Sequence, residues 1–354
     1  MTLRAPAEWS PHAAMWTAWP SHPELWAENL NPAREAIAQM IHALAEGEPV
    51  TVLAATQEAE ANARATLLPS LQGRGQGVGA SVPQQPPHPI TIRRHPFGDI
   101  WLRDTGAIIL ADATGHRTAA GFAFNGWGGK YRLEGDDSVA AAMTQTLALP
   151  FAAHDWVLEG GAIDVDGTGL AVTTEQCLLN PNRNPGLTRT DIKARLREDL
   201  GITRLLWLGE GLQGDHTDGH IDNLARFVAP GRLAIPVPDG PDDPNAAAYL
   251  DAAVRTRAFG LEVVPLPSPG LVEAQGEIVA ASYMNFIIGN AAVVVPTHGG
   301  PNDTAVVAAI AALFPDRHTI GIRTDAVLTG GGSFHCITQQ VPTGRAARNS
   351  ALAL

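Results

Sequence analysis

Apolar positions recur along this chain in two alternating rhythms. Ile37, Met40, Ile41 and Leu44 fall three and four apart, the spacing of one helical face. Asn31-Pro32 precedes them, a capping side chain and then a proline whose missing N–H costs nothing at the first helical position; Gly47 can end the helix. Ile192, Leu196 and Leu200 repeat the rhythm across Thr190–Leu200, before Gly201. Further helices are predicted near Glu58–Leu68, Asp137–Leu147, Asn245–Phe259 and Asp303–Leu313. Between them, short apolar runs predict strands at Val50–Leu53, Ile90–Arg93, Ala107–Leu110, Leu170–Thr173, Leu205–Leu208, Leu233–Val237, Leu261–Val264, Ala291–Val295 and Thr319–Ile322. This alternation predicts an α/β architecture. The Gly/Gln/Pro-rich stretch from Gln72 to Pro89 reads as an exposed loop, because strand and helix signals resume on both sides.

Five polar motifs punctuate the alternation: Asp99 to Asp104, Glu159-Gly160-Gly161, Asp218 to Asp222, Ser282 to Phe286, and Gly330 to Cys336. Taking Asp104, Glu159, His220, Asn285 and Cys336 as markers, the separations are 55, 61, 65 and 51 residues, and each motif lies beside a strand-like run. Such a period suggests modules around an axis, each pointing one polar motif at a shared centre. Chance spacing among many Gly/Asp loops accounts for the separations equally well.

Composition narrows the chemistry. A length of 354 residues suggests two domains or one large α/β domain, and 45% apolar with 17% charged residues is ordinary for a protein with a large core. The net charge of −12 argues against a nucleic-acid backbone as main partner and suits a cationic small molecule. Two cysteines, Cys177 and Cys336, exclude a disulfide framework and a four-cysteine zinc site within one chain. Two lysines, Lys130 and Lys193, leave few candidates for a Schiff base. No apolar signal segment opens the chain and no run reaches the ~18 apolar residues of a membrane span, so a cytoplasmic, reduced setting is expected.

Cys336 follows three glycines, which let a substrate approach the backbone, so it is placed for nucleophilic attack; Cys177 reads as a buried small residue. His216 and His220, four apart, could ligate a metal from one helical face, although Gly219 weakens the helix. Alternatively His220 and Asp222, two apart in a strand-like stretch, would enter one pocket together for acid/base work. A hydrogen-bonded surface loop is the third reading. Asp104 and Asp222 supply the separated carboxylates that a planar guanidinium needs, and Trp101 could stack on its face. Glu159 could orient His220 or add a carboxylate, and Phe124 to Tyr131 reads as an aromatic, glycine-rich loop over a pocket. No glycine string matches a phosphate-binding fingerprint.

Assembled in order, these motifs resemble the agmatine deiminase / bacterial peptidylarginine deiminase family of the guanidine-modifying superfamily. The resemblance runs from Pro6-Ala7-Glu8-Trp9 to Gln340. Its carriers are Asp99 to Gly106, Phe124 to Tyr131, Leu158 to Gly161, Asn180 to Pro185, Gly219 to Asn223 and Gly331 to Gln340. It implies a five-module α/β propeller, the pentein fold, built of ββαβ units. The whole of 1–354 would then be one catalytic domain with a loop at about 72–89 and a tail at about 343–354. It also implies roles: Cys336 as nucleophile, His220 as general acid/base, Asp104 and Asp222 as guanidinium carboxylates, and Glu159 positioning the histidine. Trp101, Trp127, Gly128 and Gly332 would be further substrate contacts.

The implied reaction is hydrolysis of agmatine to N-carbamoylputrescine and ammonia through an amidino-cysteine, with no metal or organic cofactor. Deimination of free or peptidyl arginine is the alternative, and free arginine would need Arg226 or Arg132 for its α-carboxylate. A His216/His220 metal hydrolase and a non-catalytic member of the fold are the more distant readings. The expected partner is a small cationic guanidine, with no nucleic acid and no membrane, and a homo-oligomer stays open. The sequence departs from the family pattern at Gly214 to Asp218, at Leu224-Ala225-Arg226 and at Ala107, which bears on the far end of the substrate.

Overall fold

A computed structural model describes residues 3–68, 86–274 and 276–344. Most of the predicted loop at 72–89 and of the tail at 343–354 therefore lies outside the described residues.

The strands run β1 (His12–Trp19), β2 (Val50–Ala54), β3 (Ile90–Arg94), β4 (Ile108–Ala111), β5 (Arg117–Ala123), β6 (Phe151–Val157), β7 (Ile163–Val165), β8 (Leu170–Thr174) and β9 (Arg204–Leu208). They continue β10 (Arg226–Ala229), β11 (Arg232–Val237), β12 (Glu262–Pro267), β13 (Glu273–Ala274), β14 (Glu277–Ile278), β15 (Ile287–Ile288), β16 (Ala292–Thr297), β17 (His318–Arg323) and β18 (Thr338–Pro342). Four three-stranded sheets share one topology: β4-β5-β6, β7-β8-β9, β10-β11-β12 and β15-β16-β17. In each, an antiparallel pair is followed by a helix and a third strand parallel to the second. The helices are Val139–Leu147, Arg189–Leu200, Ala246–Ala258 and Asp303–Leu313. The fifth sheet has the order β18-β1-β2-β3, with helices Leu30–Leu44 and Gln57–Leu67 between its parallel strands. Its antiparallel partner, β18, comes from the other end of the chain. These are five ββαβ units, one of them extended by β3.

All nine predicted strands and all six predicted helices are present. Central strands read as continuous apolar runs because both faces are covered; β8 and β16 are buried along their whole length. The helix Leu30–Leu44 buries the predicted face Ile37, Met40, Ile41 and Leu44. Asn31-Pro32 lies within its first turn, where proline is still tolerated, and the capping position is Asn29. Thr188 and Asp191 form a reciprocal capping box for Arg189–Leu200, which Gly201 ends at φ 68°. Strands that escaped prediction include β6, which alternates exposed and partly buried residues, and β18, a buried but polar Thr-Gln-Gln segment. Among the described residues no helix is long and apolar enough to cross a membrane.

Candidate active site

Each polar motif precedes the first strand of one unit. Asp104 lies in the turn Leu102–Thr105 before β4, and Glu159 stands at the start of the turn Gly160–Ala162 before β7. His220 caps the turn Ile221–Leu224 before β10, with Asp222 inside that turn. Asn285 precedes β15 and Cys336 precedes β18. The near-regular spacing is thus the length of a ββαβ unit, and chance does not account for it. Residues 216–219 form a turn and a bend, and Ile221–Leu224 form one short helical turn after His220, so neither the helix predicted across His216 and His220 nor the strand predicted across His220 and Asp222 is adopted. Gly219 at φ 86° breaks both patterns.

The motifs converge. Cys336 is 5% exposed; its Sγ accepts from Asn285 Nδ2 at 3.0 Å and donates to Asp222 Oδ2 at 3.4 Å. Asn285 Oδ1 accepts the backbone N–H groups of His335 and Cys336, fixing the turn that carries the thiol. Asp104 Oδ2 accepts from Trp127 Nε1 at 2.9 Å, and its Oδ1 accepts from the Gly161 N–H at 2.9 Å and faces His220 Nδ1 at 3.7 Å. Glu159 Oε1 accepts from Arg183 Nε at 2.5 Å. The same guanidinium donates to Asp218 at 2.6 Å and to the Thr217 carbonyl at 2.7 Å, so it also braces the loop before His220.

A cavity of about 230 Å³ opens onto Cys336, Asp104, Trp101, Trp127 and Gly332. Trp101 Nε1 donates to Asp99 Oδ2 at 2.8 Å, Trp26 Nε1 donates to Asp99 Oδ1 at 3.1 Å, and the two indoles stack. A Cβ at Gly332 would lie 2.7 Å from the Trp101 ring and 3.2 Å from Cys336 Sγ, so glycine is what lets these two approach. Trp127 adopts φ 51°, a left-handed conformation that aims its indole N–H at Asp104. Tyr131 stacks on His216 at the cavity's edge. Gly128 does not line the cavity; its α-carbon backs onto Asn182 and Arg183. His220, Asp222 and Glu159 are wholly buried behind the lining residues.

Charge is distributed unevenly. Burial raises the Cys336 thiol pKa, and the Asp222 and Asp104 carboxylates push it up further. Burial also raises Asp104, reinforced by Asp222 and Glu159. Burial opposes a charge on His220, but Asp104, Cys177 and Glu159 outweigh it and lift the imidazole well above its ordinary range. Asp222 is lowered despite its burial, chiefly by His335. The site thus pairs a protonated thiol and imidazole with acidic groups whose charge a bound cation would match.

Behind the site, His335 bridges Asp222 Oδ2 at 2.7 Å and Glu8 Oε2 at 3.2 Å. Glu8 pairs with Arg226, which also reaches Asp164 at 3.4 Å and the Phe286 carbonyl at 2.8 Å. Burial alone would raise the Glu8 carboxyl, but Arg226 and His335 hold it far below its usual range. Arg226 is therefore committed to the interior, and neither it nor Arg132 lines the cavity. Arg226→Met would strand two buried carboxylates and is expected to destabilise the protein by about 3–5 kcal/mol. Urea unfolding measures this; a loss below about 1 kcal/mol would show that the pair is not what holds this region.

Asn285, Arg183, His335 and Glu8 each lie in one of the sequence motifs, but their roles depend on partners from other segments and carry no local signal. Among the described residues, Glu159, Cys177 and His220 are the group of three donors close enough to hold a metal ion, and His216 is not part of it.

The Porphyromonas-type peptidyl-arginine deiminase family model matches residues 4–342. The agmatine deiminase of Stutzerimonas stutzeri is 36% identical, covering 95% of both chains. That of Pseudomonas aeruginosa is 35% identical, covering 98% of this chain and 97% of its own. The solved agmatine deiminase of Enterococcus faecalis superposes with a TM-score of 0.85 at 31% identity, covering 96% of each chain.

Proposed function

The chain belongs to the Porphyromonas-type peptidyl-arginine deiminase family and is a C–N hydrolase, and from that premise we propose that it converts agmatine to N-carbamoylputrescine and ammonia. The observation that carries the reading is Cys336 opening with Asp104 and two indoles onto one cavity, with Asp222 in contact behind it. Among the relatives above, the curated enzymes are agmatine deiminases.

In this reading the guanidinium lies between Asp104 and Asp222, whose Oδ1 has no hydrogen-bond partner within the protein. Trp101 and Trp127 cover its faces. Burial and the two carboxylates keep Cys336 protonated; the bound cation offsets the carboxylates, so the thiol ionises when substrate arrives and its proton passes to solvent. The thiolate attacks the central carbon and a C–S bond forms. Imidazolium His220 gives its proton to the departing nitrogen, the C–N bond breaks and ammonia leaves. An amidino-cysteine remains. Neutral His220 then takes a proton from water, hydroxide adds to the same carbon, and the C–S bond breaks; the departing sulfur takes up the proton of the added hydroxyl, which restores the Cys336 thiol and releases the neutral ureido product. Glu159, held at one oxygen by Arg183, positions the imidazole.

Incubation with agmatine, arginine, an arginyl peptide and simpler guanidines, read by ureido product, tests the substrate. Agmatine is expected to be fastest. Free arginine is disfavoured because, among the described residues, no arginine or lysine lines the cavity to meet its carboxylate. No ureido product from any of them defeats the reading.

Thiol chemistry gives a second check. With the Cys336 pKa raised, only a small thiolate fraction exists at pH 7, and alkylation by neutral chloroacetamide should keep accelerating with pH past the ~8.5 of an ordinary thiol. Cationic 2-chloroacetamidine brings its own counter-charge and should react roughly 10²-fold faster at pH 7. Equal rates for the two reagents would contradict the carboxylate clamp.

A further inference from the structure

Cys177 has no part in the reaction above, yet it is fully buried beside two groups that do. It sits in the short turn Glu175–Leu178 after β8, where Thr174 caps its N–H at 3.2 Å. Its sulfur, a Glu159 carboxylate oxygen and a ring nitrogen of His220 all lie within 4.8 Å of one another. Glu159 Oε2 lacks a hydrogen-bond partner within the protein, and the His220 ring meets only the Cys177 sulfur and, at 3.7 Å, Asp104 Oδ1, with no close oxygen or nitrogen partner; both residues are completely buried. Buried polar atoms normally find close partners, so a bare carboxylate oxygen and a loosely held imidazole beside a thiol need an account.

We propose that Glu159, Cys177 and His220 form a binding site for a soft divalent cation, Zn²⁺ in particular, and that its occupancy switches the enzyme off. One sulfur, one imidazole nitrogen and one carboxylate oxygen make a zinc donor set, with a fourth position left for water. Zinc bonds of ~2.0–2.3 Å bring tetrahedral donors to roughly 3.5 Å from one another, so from within 4.8 Å the trio must close by about 1.3 Å at most. Arg183 occupies only Glu159 Oε1 and leaves Oε2 free to ligate. Entry of the ion releases the Cys177 thiol proton and an imidazolium proton of His220. Two positive charges replace two, and the buried net charge is unchanged. Bound zinc holds the imidazole lone pair, so His220 can no longer exchange protons with leaving group or water. The inhibition rests on the reaction proposed above; the binding does not.

Because the donors are buried, the full-length protein is equilibrated with zinc before measurement. Binding is read by competition with a chromophoric zinc chelator, and ligation by the thiolate-to-metal charge-transfer band of the Co²⁺-loaded protein. Wild type and Cys336→Ala should each bind one zinc per chain and show the band. Cys177→Ala should bind at least tenfold more weakly and lose it. The zinc concentration that halves each protein's own zinc-free activity should rise at least tenfold from wild type to Cys177→Ala, and a chelator should restore wild-type activity. Loss of binding in Cys336→Ala would put the metal on the nucleophile and overturn the site, as would undiminished binding in Cys177→Ala or no binding to wild type. Zinc bound with full activity retained would overturn the inhibition. Should Cys177→Ala fail to fold, Cys177→Ser keeps the size with a harder donor and must lose the band.

Discussion

Cys336→Ala is expected to lower agmatine turnover by roughly 10⁴–10⁶-fold while the protein stays folded. No second thiol or amine is available to replace it: among the described residues the cavity is lined by no other cysteine and no lysine, and Cys177 is shut inside the protein. His220, Asp104 and Asp222 would remain, so the residual rate measures what clamping and acid/base groups achieve without a covalent step. Stability should hardly change. The substitution removes one sulfur atom, a weak contact with Asn285 Nδ2 at 3.0 Å and another with Asp222 at 3.4 Å. It also removes a thiol whose ionisation the two carboxylates oppose. A shift of about 1 kcal/mol, a few degrees in Tm for a domain of this kind, is the upper expectation. The assay is ureido product per enzyme, with mass spectrometry of quenched wild type to look for an amidino adduct that Cys336→Ala lacks. Activity within a hundredfold of wild type, in folded protein, would end the nucleophile assignment.

Much of this architecture is legible in the amino-acid sequence, and the legible part has a physical cause. Strands covered on both faces, such as β8 and β16, must be continuously apolar, and helices lying on them must carry one apolar stripe. The polar motifs stood out because they interrupt those runs at the same place in every unit. What escaped was information carried between units. β18 is a strand only because β1 pairs with it from the other end of the chain, and Thr-Gln-Gln gives no local sign of burial. Cys177 looked inert because its neighbours in sequence are apolar, while His220 and Glu159 reach it from two other segments. Arg226 looked available as a carboxylate partner because a lone arginine in a sequence does not reveal that Glu8 and Asp164 surround it. Asn285 was found as a marker of the repeat and not as the residue that holds the nucleophile's turn, since that role exists only once β15 and β18 are neighbours of one site.

Gly161→Ala tests that convergence directly, because this α-carbon sits where three candidate side chains meet. A methyl there would lie 2.6 Å from His220 Nδ1, 2.9 Å from Asp104 Oδ1 and 3.2 Å from Asp222 Oδ2. The first two distances are inside contact, and the atoms cannot swing clear. Asp104 is pinned by Trp127 and by the Gly161 N–H itself, Asp222 is tied to His335, and His220 is wholly buried. The methyl must therefore shift the imidazole or the guanidinium carboxylates by some tenths of an ångström or more. Reactions that depend on near-attack geometry lose about 10²-fold for a misplacement of about 1 Å, so kcat/KM should fall by roughly 10- to 10²-fold. Overpacking of this kind costs about 1–3 kcal/mol, which leaves a protein of this size folded at room temperature. Gly186→Ala is the control, since a Cβ there meets nothing within 4 Å, and it should be near neutral. Alkylation by 2-chloroacetamidine should slow in Gly161→Ala while alkylation by neutral chloroacetamide changes little, because the first needs both carboxylates in register and the second needs only the thiol. A folded Gly161→Ala protein with kcat/KM within threefold of wild type would mean that His220, Asp104 and Asp222 do not act together at this point.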